Sequence, residues 1–430
     1  MVNNISSECN VNLIIIMLLY NMKIIRYKIL KGAIMNIAFF IHTMGRGGAE
    51  MALVNLANAL TEQGENVTLY SILNTGNLST KISGDVIYKP IFDLPSIVEK
   101  RNVNNTGTLI KGSNGLSNVA KFYAMMWRIF HKQISKIGSK KVGEHDVYIS
   151  YLEGPTSKFV ANLETNKRKI AWVHVDLNRE RKSELFFRNQ KENREHYNNF
   201  DEIVAVSDDV KKSLCNYLQI DKDVHVIYNI YNVEEIITKS TMPLSEKKKN
   251  SLDPTKINIV SVGRLSSQKG YDRLINAIRS LKDSNYDLYE HLNVVIIGDG
   301  ELEIPLNNLI HELEVEDAIS LFGFTDNPYN LISNSDLFIS SSRTEGFSTV
   351  AVEATILGKY IVTTDCSGMR EIISNDSQGK IFKNSTEGIE ESLRFVISNI
   401  DMIRNGAVDN NIEDYINSLR DHEDLLSNIF

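Results

Sequence analysis

The chain has 430 residues, 42% of them hydrophobic and 23% charged, and a formal net charge of −7. That length exceeds one ordinary core and favours two domains, while the composition excludes disordered and fibrous classes. The acidic balance argues against a surface built to hold nucleic acid, and three cysteines, Cys9, Cys215 and Cys366, with neither disulfide nor zinc spacing, point to reducing cytoplasm.

The first apolar run, residues 11–22, is well short of the roughly 20 residues that a membrane-spanning helix needs, and Lys23, Arg26, Lys28 and Lys31 follow it. Met35 then opens a strand-like stretch. Residues 1–34 therefore read as an N-terminal extension, either upstream of the fold or a short extra element at its edge.

From residue 36 onward, short β-branched runs alternate with amphipathic stretches of helical period, the signature of βαβ units and parallel sheets. One series has runs at 37–41, 67–72, 147–151, 170–175, 203–206 and 224–228. A second has runs at 257–262, 294–297, 319–322, 337–340 and 360–363. Between them, residues 232–256 carry Pro243, a lysine run at 247–249 and Pro254, and read as a solvated linker. The pattern predicts an α/β chain of two Rossmann-like, doubly wound domains, 35–231 and 257–400, followed by a helical segment, 401–430. The domains face one another across a cleft, with ligands at the carboxyl ends of the strands. Residues 102–118, rich in Asn, Gly, Ser and Thr, read as a long mobile loop.

Several strand-to-helix turns carry chemistry. Gly45, Gly47 and Gly48 precede a helical pattern, where backbone N–H groups can approach an anion; a plain structural turn is the alternative, and a dinucleotide motif fits poorly because Glu50 stands where its third glycine belongs. After the run 257–262 come Arg264 and Lys269, a fork and a mobile ammonium suited to a diphosphate or simply to solubility. Gly298, Asp299, Gly300 and Glu301 read as a chain reversal. The strongest local signal follows 337–340, where Glu345 and Gly346 form a turn, Ser348 or Thr349 caps a helix, and Glu353 lies in its second turn. Such a helix start can face phosphate while the two carboxylates accept sugar and ribose hydroxyls, or the two glutamates can be ordinary solvated acids.

In the first series, His174 lies at or near a strand end. The acidic pairs Asp208–Asp209 and Asp221–Asp223 read as solvated, and no metal site is expected. Tyr123, Trp127, Phe130, Ile134 and Ile137 fall at helical spacing with Lys121, Arg128, Lys132, Lys136, Lys140 and Lys141 around them. That apolar stripe can pack on its own sheet or, as a basic amphipathic helix, touch an anionic membrane.

Taken in order, Gly47-Gly48-Ala49-Glu50, Val262-Gly263-Arg264-Leu265, Gln268-Lys269-Gly270, Gly298-Asp299-Gly300 and the pair Glu345/Glu353 resemble the motifs of the retaining glycosyltransferase family 4, which has the GT-B fold. Ala205-Val206-Ser207, Ile227-Tyr228-Asn229, Phe322-Gly323-Phe324 and Thr364-Asp365-Cys366-Ser367-Gly368 with Glu371 extend the match, which covers residues 35–382. The resemblance implies that Arg264 and Lys269 neutralise the diphosphate of a nucleotide-sugar donor, Glu345 contacts the donor sugar and Glu353 binds the ribose. Gly48 would approach the phosphates from the other domain, and Phe324, Gly346, Phe347, Ser348 and Thr349 would line the donor site. His174 resembles the family's cleft histidine, so Glu345, His174, Arg264 and Lys269 are the implied catalytic set.

The nucleotide-sugar is then a substrate, no cofactor or metal is required, and the acceptor is a glycan or lipid-linked glycan in bacterial surface polysaccharide synthesis. The implied place is the cytoplasm, including the inner face of the plasma membrane. The short stretch 384–430 lacks the family's proline-rich lead-in to the helices that cross back to the first domain. Two other readings share the fold: a non-catalytic subunit that supports a partner transferase, and a sugar-nucleotide epimerase. A phosphorylase lacks support because no pyridoxal-phosphate lysine signature is present.

Overall fold

A computed structural model describes residues 34–45, 47–76, 78–93 and 118–405. The expected N-terminal extension, apart from its last residue, the loop at 102–117 and the end of the C-terminal segment, 406–430, lie outside the described residues.

Two all-parallel sheets form the frame. The first contains β1 (Asn36–Ile41), β2 (Asn66–Leu73), β3 (Ile87–Phe92), β4 (Val147–Ser150), β5 (Arg168–Val173), β6 (Glu202–Ala205) and β7 (Val224–Val226), in the order β3-β2-β1-β4-β5-β6-β7. The second contains β8 (Ile257–Val262), β9 (Leu292–Ile297), β10 (Ile319–Gly323), β11 (Leu337–Ser340), β12 (Tyr360–Thr364) and β13 (Gly379–Phe382), in the order β10-β9-β8-β11-β12-β13. Helices cover both faces, so the central strands read as nearly continuous apolar runs: every residue of β1 after Asn36 is buried.

Each sheet reverses its winding once. In the first the switch lies between β1 and β4, where Ile37 pairs with Val147 and Phe40 with Ser150. In the second it lies between β8 and β11, where Ile259 pairs with Leu337. Crevices at such points, outside the carboxyl ends of the strands, are where doubly wound sheets take ligands.

The core does not stop at the domain boundary. One buried cluster runs from Phe39, Leu53 and Val204 of the first domain to Val260, Phe338, Phe347, Val352 and Met369 of the second. The helix Thr349–Ile356 joins the two halves, and the far face of the second sheet has its own cluster around Leu274, Ile296 and Leu393.

The structure departs from the sequence reading in three places. The edge strands β3 and β13 are additional; β3 carries Pro90 and Lys89 and buries only Ile91 fully, which an outermost strand tolerates. The stretch 232–256 is not a solvated linker. It contains helices Val233–Ser240 and Glu246–Lys249, and Lys248 is buried, donating to Asn330 Oδ1 at 2.6 Å, while Lys247 donates to the Phe322 carbonyl at 2.8 Å. The third departure is the basic amphipathic helix, Asn118–Gly138. It is broken at Phe130 (φ −110°, ψ 15°), and its buried face follows Ala120, Ala124, Trp127, Ser135 and Gly138 rather than the apolar stripe read from the sequence. Trp127 is buried and Ile134 packs on the core, but Phe130 and Ile137 turn outward beside exposed Phe122, Met125 and Ile129.

Candidate active site

The donor side is assembled from the two turns that leave β8 and β11. After β8 the chain makes a short turn, Ser267–Lys269, and reaches Gly270 at φ +66°, where a Cβ would lie 2.3 Å from the Ser341 carbonyl. Only glycine fits so close an approach in that conformation. The contact lays the two turns side by side, and hydrogen bonds sew them together. Arg343 N–H donates to the Gln268 carbonyl at 2.7 Å, Ser341 Oγ to the Lys269 carbonyl at 2.9 Å, and the Arg343 guanidinium grips Asp272 with both ends at 2.7 and 2.6 Å.

Lys269 and Glu345 are thereby brought together. Lys269 Nζ lies 2.7 Å from Glu345 Oε1, which also accepts from Ser342 Oγ at 2.6 Å. Ser348 then caps the Thr349–Ile356 helix, accepting from the Ala351 N–H at 3.4 Å, so the helix starts with its free N–H groups toward the cleft.

From the other domain, the helix Gly48–Glu62 also opens on the cleft, and its N-cap, Gly47, supplies no side-chain cap. A Cβ on Gly48 would stand 2.8 Å from Thr349 Oγ1. Two helix N-termini, one from each domain, therefore come together at Gly48 and Thr349. Their dipoles and free amides favour an anion between them. Arg264 lines the same space, and its charge acts on Glu50 in the first turn of the opposing helix, a carboxyl that burial raises above its ordinary range.

Glu353 sits deeper, where Tyr329 donates to its Oε1 at 3.3 Å, and burial pushes its pKa up to about 7. His174 stands at the end of β5 against Tyr151, with ring centroids 4.6 Å apart. Burial lowers its pKa to about 3, so the ring is neutral at physiological pH, and its Nε2 is buried without a partner. The backbone of this residue is held by Glu153, whose Oε1 accepts from the N–H groups of His174 at 2.6 Å and Val175 at 2.8 Å. Across the cleft, a Cβ on Gly346 would lie only 1.8 Å from the His174 carbonyl.

These groups enclose one cavity of about 1590 Å³ between the domains, lined among others by Gly48, His174, Arg264, Lys269, Phe324, Glu345, Gly346, Phe347, Thr349 and Glu353. Among the described residues no group of three or more His, Cys, Asp or Glu side chains could hold a metal ion, and no helix is long and apolar enough to cross a membrane.

Residues 46–235 match the model of Glycosyltransferase Family 4 and residues 244–409 that of Glycosyl transferases group 1, so the matches meet at the domain boundary and together span most of the chain. Each half of the chain thus carries a glycosyltransferase domain model, Family 4 in the first half and group 1 in the second. The chain is 25% identical over 217 residues to an uncharacterized glycosyltransferase of Methanocaldococcus jannaschii, covering 50% of this chain and 52% of that protein. It is 33% identical over 173 residues to the N-acetylgalactosamine-N,N'-diacetylbacillosaminyl-diphospho-undecaprenol 4-alpha-N-acetylgalactosaminyltransferase of Campylobacter jejuni, covering 40% and 43%. The chain thus matches about half the length of these curated relatives. Its fold is that of the Anabaena HepE crystal structure with UDP-glucose, at a TM-score of 0.64, 17% identity, and coverage of 92% of this chain and 100% of that one. This is the GT-B fold.

Within this GT-B frame, all but one of the residues that the resemblance implied for the catalytic and donor sites line the cavity. The exception is Ser348, buried and used as the helix cap, which leaves Thr349 to face the opposite domain. Phe347 also has a second task, stacking on Tyr228 with centroids 4.8 Å apart at 9°. Asp299 and Glu301, read as parts of a plain reversal, line the cavity too.

Of the pair Asp208–Asp209, Asp208 is exposed as expected, whereas the Asp209 carboxylate is engaged between the domains. Glu371 accepts from the Asp208 N–H at 2.9 Å and the Asp209 N–H at 3.3 Å, and Asp209 Oδ2 accepts from the Gly368 N–H at 3.0 Å, forming an interdomain clasp. The sequence reading missed Lys81, Glu180, Lys182, Asn229 and Tyr329 as cavity residues. Only Asn229, inside the matched motif Ile227-Tyr228-Asn229, carried a signal that could have found it.

Proposed function

We propose that the chain is a retaining glycosyltransferase that moves a hexosyl group from a nucleoside-diphosphate sugar to a hydroxyl of a lipid-linked glycan in bacterial surface polysaccharide synthesis. The observation that carries this reading is the meeting of two helix N-termini, at Gly48 and Thr349, beside Arg264 and Lys269. Four sources of positive potential around one point suit a diphosphate whose charge grows as its bond to the sugar breaks. Glu353 suits the ribose diol, and Glu345 the hydroxyls of the transferred sugar.

We read the transfer as retaining from the resemblance of the motifs to a retaining family, and the engaged state of Glu345 supports a course without a covalent intermediate. Glu345 is tied to Lys269 and Ser342, so it is poorly placed to act as a nucleophile. The acceptor oxygen instead attacks the anomeric carbon from the face that the diphosphate is leaving, the bond from carbon to phosphate oxygen breaks, and the acceptor proton passes to that phosphate. The protein supplies position and charge, with neutral His174 beside the sugar. A uridine donor and a lipid-linked acceptor are supported by the HepE complex with UDP-glucose and by the diphospho-undecaprenol in the Campylobacter relative's name. Exposed Phe122, Met125 and Ile129 on a helix with Lys121, Arg128, Lys132 and Lys136 support peripheral contact with the anionic inner face of the plasma membrane.

The test is a panel of UDP-, GDP- and other nucleotide-sugars scored by thermal shift, since a specific donor stabilises the folded chain by mass action. Stabilising donors are then incubated with octyl glycosides as acceptors. NMR of the product reads its anomeric configuration: retained configuration supports the reading, whereas inversion, or epimerised donor without transfer, overturns it. Sedimentation with vesicles containing anionic lipid tests the membrane contact, and no binding at low salt removes it.

A further inference from the structure

The cleft wall opposite the donor loops carries a charged pair that is not part of the donor site described above. Beyond β5 the chain runs along the cleft from His174 to Lys182, and this stretch is fixed at both sides. Glu153 holds its first two N–H groups, as described above. Asp176, itself buried, folds the stretch onto itself: its Oδ1 accepts from the Asn178 N–H at 2.9 Å, and its carbonyl accepts from the N–H groups of Arg179 at 3.1 Å and Glu180 at 2.8 Å. From the second domain, Ser367 donates to Asp176 Oδ2, and Arg179 in turn donates to the Asp365 carbonyl.

The turn held in this way places Glu180 and Lys182 in the cavity wall, paired at 2.6 Å, with the glutamate side chain 15% exposed and the lysine 58%. Two further polar atoms in the same cavity wall lack a partner: Nε2 of His174, and Oδ1 of Asn229, a residue only 5% exposed. This side of the cleft is thus polar, fixed and incompletely satisfied.

Resting on the glycosyl-transfer reading, we infer that Glu180, supported by Lys182, is the residue that recognises the acceptor, accepting hydrogen bonds from two adjacent hydroxyls of the acceptor's terminal sugar. A carboxylate only accepts, and its two oxygens match a vicinal diol, whereas it repels the donor's phosphates. Lys182 balances Glu180 when no acceptor is bound and, being mostly exposed itself, can swing away once acceptor hydroxyls take its place on the carboxylate. The fixed backbone keeps the carboxylate in place before the acceptor arrives, which lowers the cost of binding.

The experiment uses the nucleotide-sugar and octyl glycoside that turn over fastest in the panel above. Three quantities are compared between the wild-type chain, Glu180→Gln and Glu180→Ala: KM for the acceptor, KM for the donor, and donor hydrolysis without acceptor. Glu180→Ala is expected to raise the acceptor KM by about tenfold or more, the worth of a hydrogen bond to a charged group, with Glu180→Gln between it and wild type. Donor KM and donor hydrolysis stay unchanged. Octyl glycosides lacking either of the two hydroxyls are poor acceptors for the wild-type chain, and the penalty shrinks in Glu180→Ala, an effect that loop damage alone would not produce. An unchanged acceptor KM, or a parallel fall in donor hydrolysis, overturns the inference. If no nucleotide-sugar and glycoside pair turns over in the wild-type chain, the glycosyl-transfer reading has failed instead.

Discussion

Lys269 Nζ stands 2.7 Å from Glu345 Oε1, joining the turn after β8 to the turn after β11 at the switch point of the second sheet. Both groups are largely buried, so the pair is held in a setting where charge is felt strongly. The ammonium is balanced by Glu345; on the glycosyl-transfer reading, a donor's diphosphate would share it with that carboxylate.

Replacing Lys269 by alanine removes one of the cations that meet the departing diphosphate and leaves Glu345 with only Ser342. The expected result is a fall in kcat of about 10² to 10³, the usual cost of losing one donor to a developing charge. Steady-state kinetics with the best donor checks it, and near-normal turnover would remove Lys269 from the catalytic set.

Glu353 gives a pH dependence of definite sign. Burial raises its pKa from an ordinary 4.5 to about 7, so the folded chain holds this proton more tightly than the unfolded chain does. The stability due to protonated Glu353 is therefore complete below about 4.5 and lost as pH rises toward about 7. Donor binding runs the other way, because the ionised carboxylate is the stronger acceptor for a ribose diol. The donor KM is expected to fall as pH rises through about 7, and Glu353→Gln to flatten that slope; a slope that survives in Glu353→Gln belongs to another group.

Much of this site was legible because its signals are local. Strands buried on both faces must be apolar along their length, which is why β1, β8 and β11 stand out, and a turn that delivers Lys269 or Glu345 to a sheet's carboxyl edge is written within a few neighbouring residues. The edge strands β3 and β13 were not legible, since one flank without a neighbour admits Pro90 and Lys89. Glu371 and the backbone N–H of Asp208, 163 residues apart, carry no signal of their contact until the domains meet. The lysine run at 247–249 misled for the same reason: its solvation is a tertiary property, and Lys248 is buried against Asn330.

Gly346→Ala tests the contact between domains. Its added Cβ would fall 1.8 Å from the His174 carbonyl, a backbone atom that can retreat only if the β5 turn or the second domain moves. A misplacement on the order of 1 Å can cost about 10² in rate, so turnover is expected to fall by at least about that factor. The same substitution should lower the thermal midpoint, because the Ser207 hydroxyl donates to the Gly346 carbonyl at 3.0 Å and would be displaced with it. Normal kinetics in a folded Gly346→Ala chain would show that the cleft works at a wider opening than the one described.

The clasp at Glu371 makes the last prediction. Its carboxylate occupies the N-terminus of the helix Asp208–Leu218, accepting from two backbone N–H groups and, at 3.0 Å, from the Tyr228 hydroxyl, so three donors from the first domain converge on one acid of the second. A carboxamide can offer only one accepting oxygen, and its NH₂ would face a backbone donor. Glu371→Gln is therefore expected to cost about 1–3 kcal/mol of stability, read as a lower thermal midpoint, and Tyr228→Phe, which removes a single donor, to cost less. Added UDP should restore part of the loss, because a nucleotide held by both domains closes the cleft that the clasp no longer closes. An unchanged midpoint in Glu371→Gln would mean that the apolar contact through Phe347 and Met369 holds the domains together without the clasp.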